Sequence, residues 1–167
     1  MPQAAIEAPT RIRSRRQWKQ WIPALIWMGL IAFESTDLMS AAHTGSILAA
    51  LATRVFPQVD VRLLVSLNHY LRKLGHVIGY AILSWLLFRA WRATLPSVVG
   101  RLWAFPWARL AFWMSAAIAT LDEFHQSFIP SRTGRWQDVV LDSTAALVMQ
   151  IFLFLFCKSR RSEPSRE

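Results

Sequence analysis

Residues 107–132 read WARLAFWMSAAIATLDEFHQSFIPSR, an apolar stretch that stops at Asp122-Glu123 and is closed by Phe128-Ile129-Pro130-Ser131-Arg132. The apolar residues continue for only 12 positions between Arg109 and Asp122. A helix rising ~1.5 Å per residue needs about 20 residues to cross a ~30 Å hydrocarbon layer. A membrane helix here, over about 107–126, therefore holds flanking charges at membrane depth. Pro130 has no backbone donor with which to continue that helix, and Thr133-Gly134 supply turn chemistry after it.

Three further apolar runs lie outward from this one, over about 18–38, 73–91 and 138–157. The run from Lys73 to Arg89 encloses 15 residues, and the last is long enough only with Asp142 included. The pattern predicts an all-α fold, an integral-membrane four-helix transmembrane bundle. Residues 39–72 carry Arg54, Pro57, Asp60 and Arg62 and lack a charge-free run long enough to span. Within them Val61, Leu64, Val65 and Leu71 recur near helical spacing, which predicts an amphipathic interfacial helix in this first outer loop. His43 and His69 read as loop residues there.

Around the membrane domain at 18–157, residues 1–17 read as a flexible basic tail and 158–167 as a second one. The first apolar run lacks a small-residue cleavage pattern and reads as a retained helix. The chain of 167 residues is 54% hydrophobic, with positive mean hydropathy, which is too apolar for an ordinary soluble domain. Its nine Trp and ten Phe fit rings anchored at a bilayer interface. The net charge of +9 would suit nucleic acid, but the basic residues fall in short clusters between apolar runs, the pattern of a multispanning protein. One cysteine, Cys157, excludes an internal disulfide and reads as a small apolar residue.

With four spans, both termini share a side with the loop around 89–109, broken by Pro96 and Pro106. That side holds 13 basic and three acidic residues, the opposite side six basic and seven acidic, or +10 against −1. Basic residues near span ends favour the cytoplasm, so the reading is a multi-pass protein of the inner, cytoplasmic membrane with both termini cytoplasmic.

That orientation brings polar groups from all four spans to one leaflet. They are Glu34 and Ser35 of span one, Lys73, His76 and Tyr80 of span two, Asp122, Glu123 and Gln126 of span three, and Asp138 and Asp142 of span four. Ionisable groups at membrane depth are costly enough to imply pairing or function. Lys73, His76 and Tyr80 project from one helix face, as do Asp138 and Asp142, and the four faces together predict an outward-facing polar pocket. Gly75-x-x-x-Gly79 would let a neighbouring backbone approach closely.

The blocks Phe33-Glu34-Ser35, Arg72-Lys73-Leu74-Gly75-His76 running to Tyr80, and Asp122-Glu123-Phe124-His125-Gln126-Ser127-Phe128-Ile129-Pro130-Ser131-Arg132 continuing to Asp138 resemble the VanZ-like family. That family is named for a membrane protein associated with teicoplanin resistance. The resemblance covers about residues 20–157 and implies a small multispanning protein with a role in the cell envelope. The chain departs from the family pattern at Glu34, Asp142 and Ala145.

Lys73 and Arg132 can grip a phosphate, Arg through its planar fork and Lys as a point charge. Tyr80, Asp122, Gln126 and Asp138 complete the expected ligand-binding set. The expected partners are membrane lipids, with a lipid-linked envelope precursor or a glycopeptide antibiotic as candidate ligands, and no nucleic acid. An enzymatic alternative gives His76 and Glu123 acid/base roles on a lipid-linked substrate. A structural alternative pairs Asp122 and Glu123 with Lys73 or Arg132 to hold helix ends together. His76, His125 and the acids offer donors for a divalent metal, but no His-Glu-x-x-His is present and the reading is no cofactor and no metal.

The topology is testable by labelling. In a Cys157→Ser background, a cysteine at Thr133 is expected to react with a membrane-impermeant maleimide in intact cells, and one at Ser162 only after permeabilisation. The reverse pattern contradicts the orientation.

Overall fold

The computed structural model describes residues 8–95 and 102–159, with side chains from residue 17 onward except at 41 and 42. The described residues form five helices and no strand: α1 Ala8–Glu34, α2 Ala41–Val55, α3 Val61–Thr94, α4 Phe105–Gln126 and α5 Trp136–Ser159. A short 3-10 turn, Asp37–Met39, joins α1 to α2. Helix α1 begins inside the stretch expected to be a flexible tail, because its Arg and Gln residues are good helix formers and Pro9 sits in the first turn, where its missing donor costs little. The remainder of that tail, the break at Pro96 and most of the C-terminal tail lie outside the described residues.

Local chemistry sets the boundaries. The Ser40 side chain accepts the His43 backbone N–H at the start of α2, and the Asp60 carboxylate accepts that of Arg62, at 2.8 Å, at the start of α3. Pro106 occupies the first turn of α4. The amphipathic segment expected ahead of the second span is continuous with it in the 34-residue α3, since nothing between Val61 and Thr94 breaks a helix. His43 and His69 therefore lie on helices and not in loops. Helix α2 was not foreseen.

Helix α3 is the central element and packs against α1, α2, α4 and α5. The bundle face of α4 is a stripe at three- and four-residue intervals, Ala108, Ala111, Ser115 and Ala119, all buried, and it continues into buried Asp122 and Gln126. Small residues let the helices approach closely, and the same periodicity carries the polar groups inward at the far end. Helix α5 repeats the arrangement with Gln150, Ala146 and Asp142, and α3 with Leu87, Leu83 and Tyr80. Across the middle, Gln150 Nε2 donates to Ser84 Oγ at 2.7 Å and Ser84 donates to the Ala146 carbonyl at 3.0 Å. Trp27 Nε1 donates to the Gly79 carbonyl at 2.8 Å.

The outward faces are apolar and exposed, for example Ile22, Leu25 and Ile26 of α1 and Val148, Phe152 and Leu155 of α5, as a lipid-facing surface requires. By length and composition α3 and α5 can each cross a membrane, and α1 with its continuation bent by 72° makes a third candidate span. Helix α4, with Arg109, Asp122 and Glu123 in 22 residues, is shorter in its apolar part.

Glycine use differs from the sequence expectation. A Cβ at Gly75 or Gly79 would meet nothing within 4 Å, so no neighbouring backbone is packed there. A Cβ at Gly134 would lie 2.3 Å from the Glu123 carbonyl oxygen and 3.0 Å from Ser127 Cβ. Gly134→Ala is therefore expected to cost about 1–3 kcal/mol through overpacking, seen as a lower thermal midpoint in detergent, with Gly75→Ala close to wild type. Equal midpoints for the two variants would refute this packing.

Candidate functional site

The polar ends of α3, α4 and α5 converge under the loop 127–135. Along α3, Asn68, Arg72, His76 and Tyr80 recur every four residues and so share a face with the buried Leu83 and Leu87 further along. His76 Nδ1 lies 3.2 Å from Asp142 Oδ2, and the Asp142 side chain is fully buried. Tyr80, 1% exposed, stacks near the imidazole with ring centroids 6.4 Å apart.

Opposite them, Asp122 and Glu123 are buried at the end of α4. Asp122 accepts from the Ser35 hydroxyl and, at 3.1 Å, from Gln126 Nε2. Glu123 Oε2 accepts the backbone N–H of Arg135 at 2.8 Å, which ties the loop to α4 just before α5 begins. Adjacent residues point about 100° apart around a helix, so the two carboxylates flank the His76 side from different angles.

The cations are arranged around the mouth. Lys73 Nζ pairs with Asp138 Oδ1 at 2.9 Å. The buried Arg132 guanidinium donates through Nη2 to the carbonyls of Glu34 and Thr36, while its Nε has no partner. Arg72 donates to the Met39 carbonyl. Neither arginine forms an ion pair among the described residues. Burial, and then the neighbouring Arg72, lower the affinity of Arg132 for its proton below the ordinary value. Guanidinium groups stay charged in water even so, and two of them held together attract an anion.

These groups line a polar cavity of about 170 Å³ whose walls include Arg72, Lys73, His76, Glu123, Gln126, Arg132 and Asp138. A second cavity, of about 250 Å³, lies toward α2 against Met39, Leu71 and Gly75 and shares Arg72 and His76 with the first. A family model described as VanZ/LLP1 matches residues 16–157, from within α1 to near the end of α5. The chain belongs to the VanZ/LLP1 family. No curated protein and no solved structure matches it. Family membership and the apolar helices together make it a VanZ-like membrane protein, and the matched region contains the whole of this site.

The structure brings His76, Glu123, Lys73, Tyr80, Asp122, Gln126, Arg132 and Asp138 into one neighbourhood. No salt bridge joins Asp122 or Glu123 to Lys73 or Arg132 among the described residues, although Arg132 lies close enough to both acids to feel their charge. Lys73 turns to Asp138, and neutral donors serve the two acids. Glu34 is exposed, gives its carbonyl to Arg132, lines the second cavity and acts on Arg72 through its charge, and His125 is exposed. Asp142, set apart at first as a departure from the family pattern, is the partner of His76; its spacing of four from Asp138 was the available signal. Ser35 was placed at the pocket's leaflet without a partner, and Arg72 was quoted in a family block without a role, because nothing local to their sequence shows that they reach Asp122 and the pocket wall.

Ser35 supplies the hydroxyl donor to a buried carboxylate, so Ser35→Ala is expected to cost about 1–3 kcal/mol. Ser131→Ala, which removes an exposed hydroxyl bonded to Asp37, is expected to change stability by no more than about 0.5 kcal/mol. Thermal midpoints of the two purified variants check the contrast.

Proposed function

We propose that the chain is a four-span VanZ-like protein of the cytoplasmic membrane, with both termini in the cytoplasm, whose outward-facing pocket binds the phosphate-bearing headgroup of an envelope lipid. In this arrangement α4 crosses as the third span, its acids and Arg109 lying at the two interfaces. The observation that carries the reading is the pair of arginines, Arg72 and Arg132, beside the cavity, whose hydrogen bonds go to backbone carbonyls and to no carboxylate. A phosphate oxygen offers charge-assisted acceptance to a guanidinium, and the buried Nε of Arg132 has no other partner.

The adjoining cavities support an amphiphile as ligand. One is ringed by charge, the other mixes Met39, Leu71 and Gly75 with Glu34, Thr44 and Asn68, and they meet at Arg72 and His76. A headgroup fits a volume of about 170 Å³. A glycopeptide antibiotic is far larger and would touch only the rim, so a link to teicoplanin resistance would run through the lipid.

A second reading, acid/base chemistry on the same lipid-linked substrate, is favoured by the His76–Asp142 contact. A buried carboxylate fixes the imidazole's tautomer and orientation, leaving the other ring nitrogen to exchange a proton. Glu123 is the second group on the cavity wall able to carry one.

Native mass spectrometry with short-chain phosphatidate, compared with diacylglycerol of the same chains, tests the binding. Wild type is expected to retain phosphatidate selectively, with at least about tenfold weaker retention in Lys73→Ala and in Arg132→Ala, the loss of a charge-assisted hydrogen bond worth about 1.5–3 kcal/mol. Equal retention of both lipids overturns the reading. Loss of headgroup turnover in His76→Ala with phosphatidate still bound would favour the catalytic version.

A further inference from the structure

Three buried carboxylates form the floor of the pocket, and Arg132 lies close enough to Asp122 and Glu123 to feel their charge. Asp122, Glu123 and Asp142 are 8%, 6% and 0% exposed, and among the described residues no Lys or Arg pairs with any of them. Three ionised carboxylates cannot be left together in such a place without a compensating cation or proton. One donor atom from each of His76, Asp122 and Glu123 lies within 4.8 Å of the others, with His76 on α3 facing the two acids on α4.

Each member of that triad is held from behind. Asp142 Oδ2 bonds His76 Nδ1, which leaves Nε2 as the ring's free ligand nitrogen. Ser35 and Gln126 donate to Asp122, and the Arg135 backbone N–H donates to Glu123 Oε2, so its Oε1 remains available. A carboxylate behind a ligating imidazole, and donors behind ligating carboxylates, are the usual outer shell of a protein metal site.

A further observation is independent of the triad. Asp142 Oδ1, on a side chain 0% exposed, has no hydrogen-bond partner, and the hydroxyl of Tyr80, 1% exposed, is turned to Asp122. Both belong to residues packed against His76, one bonded to it and the other stacked beside it. An unpartnered buried oxygen such as Asp142 Oδ1 is served by water or by an ion's hydration shell.

We propose that His76, Asp122 and Glu123 bind one divalent cation of the manganese or zinc class, with Asp142 as the positioning residue behind His76. One imidazole nitrogen and two carboxylate oxygens match the ligand preference of these ions, and binding would draw the three donors in to the roughly 3–3.5 Å mutual spacing that ~2.1 Å bonds require. Open coordination positions would face the cavity. The site stands on its own ligand geometry and does not depend on headgroup binding.

Manganese alone is the probe. The full chain, purified in phosphate-free detergent and stripped with chelator, is titrated with Mn²⁺ and followed by electron paramagnetic resonance, with no lipid ligand added. One saturable equivalent per chain is expected, carrying an imidazole-nitrogen coupling in the electron spin echo modulation. Glu123→Gln and His76→Ala should lose the equivalent, Asp142→Asn should bind about 10- to 100-fold more weakly, and His125→Ala should retain both binding and coupling. Circular dichroism checks that each variant is folded. No saturable binding by wild type, or saturable binding without nitrogen coupling, overturns the proposal even if every variant misfolds. Phosphatidate retention measured on the stripped protein keeps this result separate from the headgroup reading.

Discussion

Asp142 is fully buried, and the one partner recorded for it is His76, on a helix 66 residues earlier in the chain. A carboxylate taken out of water must find a hydrogen-bonding or charged partner or give up its charge. That demand recurs at Asp122 and Glu123, and the architecture at this end follows from how it is met. Ser35 from the end of α1, Gln126 from α4 and the Arg135 amide from the α4–α5 loop each bring a donor to the same few ångströms. Helix ends that share no sequence proximity are thus fixed to one another through side chains that none of them could bury alone.

The apolar part of the bundle serves this end of the molecule. The Ala108, Ala111, Ser115 and Ala119 stripe brings α4 close to its neighbours, and the periodicity that buries those small side chains also buries Asp122 and Gln126. In α3 the step from Leu87 and Leu83 to Tyr80 and His76 does the same. Packing energy gathered in the middle of the bundle therefore offsets the cost of holding charge at its rim. The loop 127–135 closes over the result, with Gly134 seated against the Glu123 carbonyl and Arg132 bridging to the Glu34 and Thr36 carbonyls.

Much of this was legible in the chain itself. The interrupted apolar runs announced helices, and the three- and four-residue spacings of Lys73, His76 and Tyr80, and of Asp138 and Asp142, placed those residues on single faces. Partner choice was not legible: Lys73 selects Asp138 over Asp122 because of how α3 and α5 face each other, which spacing within a helix does not encode. The length of α3 was hidden by Arg62, Arg72 and Lys73, charges tolerated where a helix emerges from the apolar layer. Helix α2 was hidden because residues 41–55 are too short to span and so read as part of the first outer loop. The glycine pair at 75 and 79 suggested close packing, while Trp27 in fact uses the Gly79 carbonyl.

The central claim is that the buried acids are organised around His76 as one coupled network. A double-mutant cycle on His76→Ala and Asp142→Ala, read as thermal or denaturant stability in detergent, tests it most directly. The account predicts a coupling of at least about 0.5 kcal/mol, the range found for residues in direct contact within one polar network. Strictly additive losses would mean that the two side chains do not meet, and the site as described here would be wrong.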